Sequence, residues 1–295
     1  MGELRVSGER VTNKTNSTIN QNLCSSSNNS QKLLEKFKFL LYNKLSMRKR
    51  GALMSKIRRV YFAKLYTRIS ILIASILLYI FSPGQFDIVN GWNFFKKFSI
   101  YHIMWLVWVF DMVTQLIPVK NIALGSQKFF KEKFRPALHK LLDWDSLKDY
   151  IKKTNKAAGK VMAAWATLIA VIGALKLFGI IDNRIILLIS ITFYVCDLIC
   201  VLIWCPFRLM LGNKCCTTCR IFNWDHFMMF SPMIFVGSFF GASLFLLALI
   251  DLIVWEIMIY LHPERFWEHS NVALKCSECT DKLCTQYCQR LRKKK

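Results

Sequence analysis

Apolar segments of membrane-spanning length, separated by basic segments, constrain the fold of this 295-residue chain more than any other feature. A helix needs about 20 mostly apolar residues to cross a hydrocarbon core of about 30 Å. Four such segments lie between residues 61 and 204, at about 69–81, 98–119, 161–181 and 185–204, and the first reaches full length when it extends back to Tyr61. The sequence therefore predicts an all-α polytopic integral membrane protein with five or six transmembrane helices.

The segments around this four-span region differ from it in composition. Residues 1–31 are rich in Asn, Ser, Thr and Gln and predict a disordered tail, because they offer too little apolar surface to bury. Residues 32–60 mix basic and apolar residues at near-helical spacing, which predicts an amphipathic segment on an anionic membrane surface, with a soluble helix packed on the protein as the alternative. Residues 120–160, inside the region 61–204, are basic and aromatic and predict an interfacial helix.

The chain has a formal charge of +23, and its basic residues flank the apolar spans. We therefore attribute this charge to a membrane protein. Lys and Arg concentrate in the N-terminal run, in 120–160 and in 205–225, whereas the opposite loops hold Lys96, Lys97 and Arg184. The positive-inside rule then predicts a multi-pass protein of the cell membrane with a cytoplasmic N-terminus. The expected partner is the lipid bilayer, with no nucleic acid, since no nucleic-acid-binding motif accompanies the charge.

The stretch 226–262 leaves two topologies open. Its 35-residue core from Phe227 to Leu261 contains only Asp251 and Glu256 as charged residues, and a single helix of that length would measure roughly 50 Å at ~1.5 Å per residue. One interpretation is a single long span, which gives five spans and an external C-terminal tail. The other is a hairpin that turns near residues 237–241 and returns the basic tail 263–295 to the inside. The Lys and Arg residues of the tail favour the hairpin.

Two polar stretches, the loop 205–225 and the tail 263–295, hold most of the 11 cysteines. Each contains a Cys-x-x-Cys pair, a spacing that lets two thiolates of one turn reach the same metal. The sequence therefore predicts a metal site formed by Cys216, Cys219, Cys276 and Cys279. Further candidate ligands are Cys205, Cys215, Cys284 and Cys288.

The spacing leaves the metal open between zinc and an iron–sulfur cluster, because tetrahedral thiolate sites suit both. Disulfides are the third alternative, and for the tail they require the five-span topology. His226, His262 and His269 flank the clusters as additional ligand candidates or as interfacial histidines with ordinary hydrogen bonds.

Asp111 and Asp197 fall inside predicted spans, where ionisable residues are costly and mark either functional sites or buried pairs. They are expected under the first cysteine loop, as proton groups or as structural partners of a residue such as Lys176. The sequence contains no nucleotide-binding or hydrolase motif. Two functions stay open: a membrane redox protein that passes electrons to a membrane or redox partner, and a non-enzymatic scaffold or transporter accessory with a structural zinc site.

Overall fold

The computed structural model describes residues 56–117, 129–137, 144–212 and 219–275. Within these ranges the chain is helical, and apart from an isolated bridge between Pro136 and Asn271 it forms no β-structure. The prediction of an all-α protein is confirmed. The α-helices are α1 (Lys56–Phe81), α2 (Tyr101–Leu116), α3 (Trp144–Leu177), α4 (Asn183–Leu202), α5 (Pro206–Leu211), α6 (Asp225–Phe230) and α7 (Phe239–Leu261).

Four of these helices are long and apolar enough to cross a membrane: α1 from Arg58, α3, α4 and α7. Their outer faces carry large apolar side chains that are about half exposed and that lipid would cover, including Ile73, Leu77, Val171, Leu246, Ile253 and Ile257. The prediction of a multi-pass membrane protein is confirmed at this level. Helix α2 corresponds to the predicted span 98–119, but its 16 residues reach only about 24 Å.

Two helices extend well beyond their predicted apolar cores. Helix α1 begins at Lys56, before even the extended start predicted at Tyr61, and Arg68 lies within it. Helix α3 begins at Trp144 rather than at 161, so part of the predicted interfacial segment is continuous with the span. Lys and Arg are good helix formers, and their long side chains can reach the membrane surface from within a helix.

Helix α4 packs antiparallel to α1 rather than mainly against its sequence neighbour α3. Tyr61 and Leu65 near the start of α1 contact Leu198 and Leu202 near the end of α4. We call this end of the bundle, where α1 begins and where α4 and α7 end, the basic end. A five-residue turn connects α3 to α4, and the Asp182 carboxylate caps α4 by accepting a hydrogen bond from the Ile185 amide.

Residues 219–261 form a hairpin that turns back at Val236–Ser238 instead of one long helix. The first arm follows α3 from the basic end to the opposite end, as the Trp165–Ser231 hydrogen bond and the contact of Phe235 with Gly173 show. This arm consists of 3₁₀ turns around the short helix α6, because Pro232 cannot continue the α-helical hydrogen bonding. Its residues are mostly buried, which is the condition under which irregular backbone is tolerated at membrane depth.

The second arm, α7, leads back to the basic end and continues into residues 263–275. Phe129, Trp255, Phe266 and Leu274 form a buried cluster there. The Val272 amide donates to the Arg135 carbonyl at 2.8 Å, which ties this segment to residues 129–137. The described chain therefore ends, at Lys275, on the end of the bundle where it begins.

Candidate functional site

A buried ion pair joins α1 to α4. The Arg68 Nη1 atom donates to Asp197 Oδ2 at 2.8 Å and to the Tyr194 carbonyl at 2.7 Å. The Arg68 guanidinium also lies 3.7 Å from the centroid of the Tyr194 ring, a cation–π distance. The side chains of Arg68 and Asp197 are only 10% and 16% exposed. Asp197 is thus held by Arg68, and not by Lys176.

A second cluster of polar side chains lies beside this pair, between α2, α6 and α7. Gln115 Nε2 donates to Asp225 Oδ1 at 3.1 Å, and the Gln115 carbonyl oxygen contacts His226 Nδ1. His226 Nδ1 lies 3.4 Å from Asp225 Oδ1 and 3.7 Å from Asp251 Oδ2. Asp225 and His226 also interact electrostatically with Asp197. Five of the described helices therefore contribute to one polar network inside an apolar bundle.

Nearer the basic end, Glu256 of α7 is fully engaged. Its carboxylate accepts two hydrogen bonds from Arg220 and one from Trp224 Nε1 at 2.7 Å. This bidentate pair fixes the start of the first arm to the second arm. It also explains how the hairpin tolerates the Glu256 charge.

A cavity of about 350 Å³ lies between α3, α4 and the first arm, below the basic end. Aromatic and aliphatic side chains form most of its wall, including those of Trp165, Phe193 and Phe207. The residues that border it also include two acidic residues, Asp197 and Asp225, and four cysteines, Cys196, Cys200, Cys205 and Cys219. The cavity thus brings the described part of the first cysteine cluster together with the buried carboxylates.

Of the eight candidate ligands, Cys205 and Cys219 lie within the described residues, and both are buried. Cys205 forms a hydrogen bond with Cys200, one turn earlier at the end of α4. Cys219 packs against Ala158, Val161 and Trp224. Among the residues that the structure describes, no three His, Cys, Asp or Glu side chains are arranged so that they could hold one metal ion. The remaining candidates lie outside these residues: Cys215, Cys216, Cys276, Cys279, Cys284 and Cys288.

The segment that precedes the second cysteine cluster is fixed close to Cys219. Tyr150 of α3 stacks on Trp267 with ring centroids 5.7 Å apart, and its hydroxyl donates to the Phe266 carbonyl. Tyr150 is also near enough to Cys219 for an electrostatic interaction. The hairpin thus directs the chain that leads to Cys276 towards the end of the bundle that holds Cys219.

Asp111 and the three candidate histidines lie at separate positions in the structure. Asp111 is partly buried on α2, within electrostatic range of Arg68. His262 and His269 lie at the basic end, where His262 pairs with Glu264 and His269 contacts the Trp267 ring. His226 lies in the polar network, away from the basic surface. No described contact links these histidines to a cysteine.

Sequence reasoning overlooked the central members of the network. Arg68 falls in the basic N-terminal run of the sequence, and Gln115, Asp225 and Asp251 belong to none of the sites that the sequence predicts. One signal was present: Asp251 stands near the middle of the most apolar stretch of the chain, where an unpaired charge is costly. Comparison with protein-family models, with curated proteins and with solved structures found no match to this chain.

Proposed function

We propose that this chain is a multi-pass protein of the cell membrane with a cysteine-ligated metal centre at its basic end, which it uses in electron transfer. The proposed ligands are Cys216, Cys219, Cys276 and Cys279, and the centre that suits electron transfer is an iron–sulfur cluster, whereas zinc, which has no redox chemistry, suits the structural alternative below. The remaining cluster cysteines, Cys205, Cys215, Cys284 and Cys288, are candidate further ligands. The basic end is proposed to face the cytoplasm, in line with the positive-inside rule.

One observation supports this proposal above the others. The hairpin turn at Val236–Ser238 returns the chain from Cys219 to Lys275 at one end of the bundle, and Lys275 directly precedes Cys276. Two Cys-x-x-Cys turns brought to one end can supply the four thiolates of a tetrahedral site. Thiols also line the cavity that reaches Asp197 and Asp225, so buried carboxylates lie close to the proposed centre.

The test is the metal content of the full chain purified without oxygen. Iron with sulfide, and a visible absorbance that bleaches on reduction, are expected for electron transfer. Cys219→Ser should lose the metal, whereas Cys196→Ser should retain it, because Cys196 is an exposed residue of α4 that belongs to neither cysteine cluster. A folded wild-type protein that contains no metal would contradict the proposal.

A structural role for the same centre is the second candidate. The cluster of Phe129, Trp255, Phe266 and Leu274 already fixes the segment before Cys276, and a zinc ion would extend this attachment. Structural zinc contributes directly to folding stability. A colourless protein with one bound zinc, and a lower melting temperature for Cys219→Ser, would favour this scaffold over a redox protein.

A further inference from the structure

Asp251 is the most deeply buried carboxylate of the polar network. It lies in the middle of α7, and its side chain is 1% exposed. Neither carboxylate oxygen accepts a hydrogen bond within the described part of the chain. An ionised carboxylate in such a place is strongly unfavourable unless a cation, a metal or hydrogen-bond donors compensate it.

The cations near this network are already engaged elsewhere. Arg68 pairs with Asp197, and Arg220 pairs with Glu256 five residues further along α7. The described residues around Asp251 form no group that could hold a metal. What compensates the charge of Asp251 is then a proton, held by Asp251 itself or shared with His226 at 3.7 Å.

Asp225 and Asp251 both approach His226, but their surroundings differ. Asp225 accepts hydrogen bonds from Gln115 Nε2 at 3.1 Å and from the His226 amide at 2.8 Å, so its negative charge is stabilised. Asp251 receives no such stabilisation. Where two neighbouring carboxyl groups differ in this way, the poorly stabilised one holds the proton.

His226 provides the connection between the two carboxyl groups. Its Nδ1 atom faces three oxygens, of Gln115, Asp225 and Asp251, so this nitrogen carries a hydrogen. The Asp251 oxygen at 3.7 Å is one small side-chain movement away from hydrogen-bond distance. Asp225 in turn is one of the residues that border the cavity below the basic end, so it is the member of this trio that a proton from outside the network would reach.

The groups that face Asp251 come from every element packed around it. Helix α6 contributes Asp225 and His226, and α2 contributes Gln115 with Asp111 further away. The Arg68–Asp197 pair lies behind Asp225, and the segment Ser231–Phe235 contains no titratable side chain. Carboxylates outnumber cations in this network, which favours the uptake of a proton.

We propose that Asp251 and His226 form an intramembrane proton-binding site, in which Asp251 holds the proton and His226 with Asp225 exchanges it with the cavity. The site is independent of the cysteine ligands proposed above, and it goes beyond electron transfer by assigning the chain a proton-handling function. Deprotonation leaves the Asp251 carboxylate: the hydrogen on His226 Nδ1 moves to the Asp225 carboxylate while the same nitrogen takes the Asp251 proton, and Asp225, which borders the cavity, then releases the proton.

The test is the infrared carbonyl band of a protonated carboxylic acid in the full chain reconstituted in lipid vesicles. The wild type is expected to show this band at neutral pH and to lose it on alkaline titration. Asp251→Asn should lack the band, whereas Asp87→Asn should retain it, because Asp87 lies at the opposite end of the bundle, paired with Lys97 and Arg184. Cys219→Ser should also retain the band, which separates this site from the metal centre.

The Asn variant also reports on the charge state of Asp251. Asn has nearly the same shape as a neutral Asp, so Asp251→Asn should melt within a few degrees of the wild type. A wild type without the band, or a band that persists in Asp251→Asn, would overturn the proposal. A variant that fails to fold would do the same, because it would mean that an ionised carboxylate is needed at this position.

Discussion

At the scale of single residues, ionic groups inside the bundle are stabilised by close partners. Arg68 and Asp197 combine a 2.8 Å ion pair with a cation–π contact to Tyr194. A buried pair of this kind contributes little net stability compared with apolar residues, but the loss of one partner leaves an uncompensated charge.

We expect Arg68→Leu to lower the free energy of unfolding by about 3–5 kcal/mol, because it leaves Asp197 buried without its cation. Thermal unfolding in detergent measures the effect. Arg184→Leu is the matched control, since its 3.6 Å pair with Asp87 is about one-third exposed and worth at most ~1 kcal/mol.

The double variant Arg68→Leu/Asp197→Leu tests the cause of this loss. It removes both charges together, so most of the lost stability should return. A double variant as unstable as Arg68→Leu would show that packing, and not the unpaired charge, causes the effect.

The sequence identified some of these residues and not others, for a physical reason. Asp197 stands out because it lies alone in an apolar run. Arg68 does not, because a basic residue at the edge of an apolar run is typical of a membrane interface. Which neighbour Asp197 finds depends on the packing of α4 against α1, and residue spacing alone does not specify that packing.

At the scale of elements, the hairpin turn depends on a close approach at Gly241. The Ser238 hydroxyl accepts a hydrogen bond from the Gly241 amide and caps α7. A Cβ atom at Gly241 would lie 2.9 Å from the Val236 carbonyl oxygen and 3.0 Å from that of Met233. Both neighbours are backbone atoms of the turn, so they cannot move aside without distorting it.

We expect Gly241→Ala to destabilise the protein by about 1–3 kcal/mol, because the added methyl group overpacks the turn. Gly237→Ala is the control in the same turn, since a Cβ atom there meets nothing within 4 Å. Melting temperatures of the two variants in the same detergent make the comparison. Equal destabilisation by both would contradict a specific close approach at Gly241.

The segment before the second cysteine cluster depends on Phe129. This ring is fully buried and stacks on Phe266 with centroids 4.4 Å apart. Phe129→Ala should release residues 263–275 locally, since the loss of a buried Phe costs about 3–5 kcal/mol. Limited proteolysis at Arg265 and Lys275 should therefore speed up, whereas Phe95→Ala, which alters an exposed ring, should leave the cleavage rate unchanged.

The hydropathy pattern predicted the helices better than their ends. It located apolar cores that overlap α1, α2, α3 and α4, and it left a turn near residues 237–241 as one of two alternatives. It did not predict that α1 begins before Tyr61 or that α3 continues through the basic residues before 161, because periodicity and charge do not show where a helix leaves the membrane. It also did not predict the 3₁₀ form of the first arm, which depends on burial of Pro232 and its neighbours by α3, α4 and α7.

At the scale of the whole molecule, the path of the chain between the two cysteine-rich regions begins and ends at the basic end of the bundle. The first arm and α7 together lead the chain away from the basic end and back to it. The sequence left this outcome open, because a single long span and a hairpin contain the same apolar residues. The hairpin differs from a single long span in its contacts between residues far apart in sequence, such as those of Arg220 with Glu256 and of Trp105 with Ser243.

The most direct measurement is side-specific labelling of single cysteines with a membrane-impermeant maleimide, in the full chain with its native cysteines replaced. Trp204→Cys, Lys148→Cys and Lys275→Cys should all react from one side of the membrane, and Lys97→Cys should react only from the other side. Lys275→Cys reacting from the same side as Lys97→Cys would place the two cysteine clusters on opposite faces, and a shared metal centre would then be impossible.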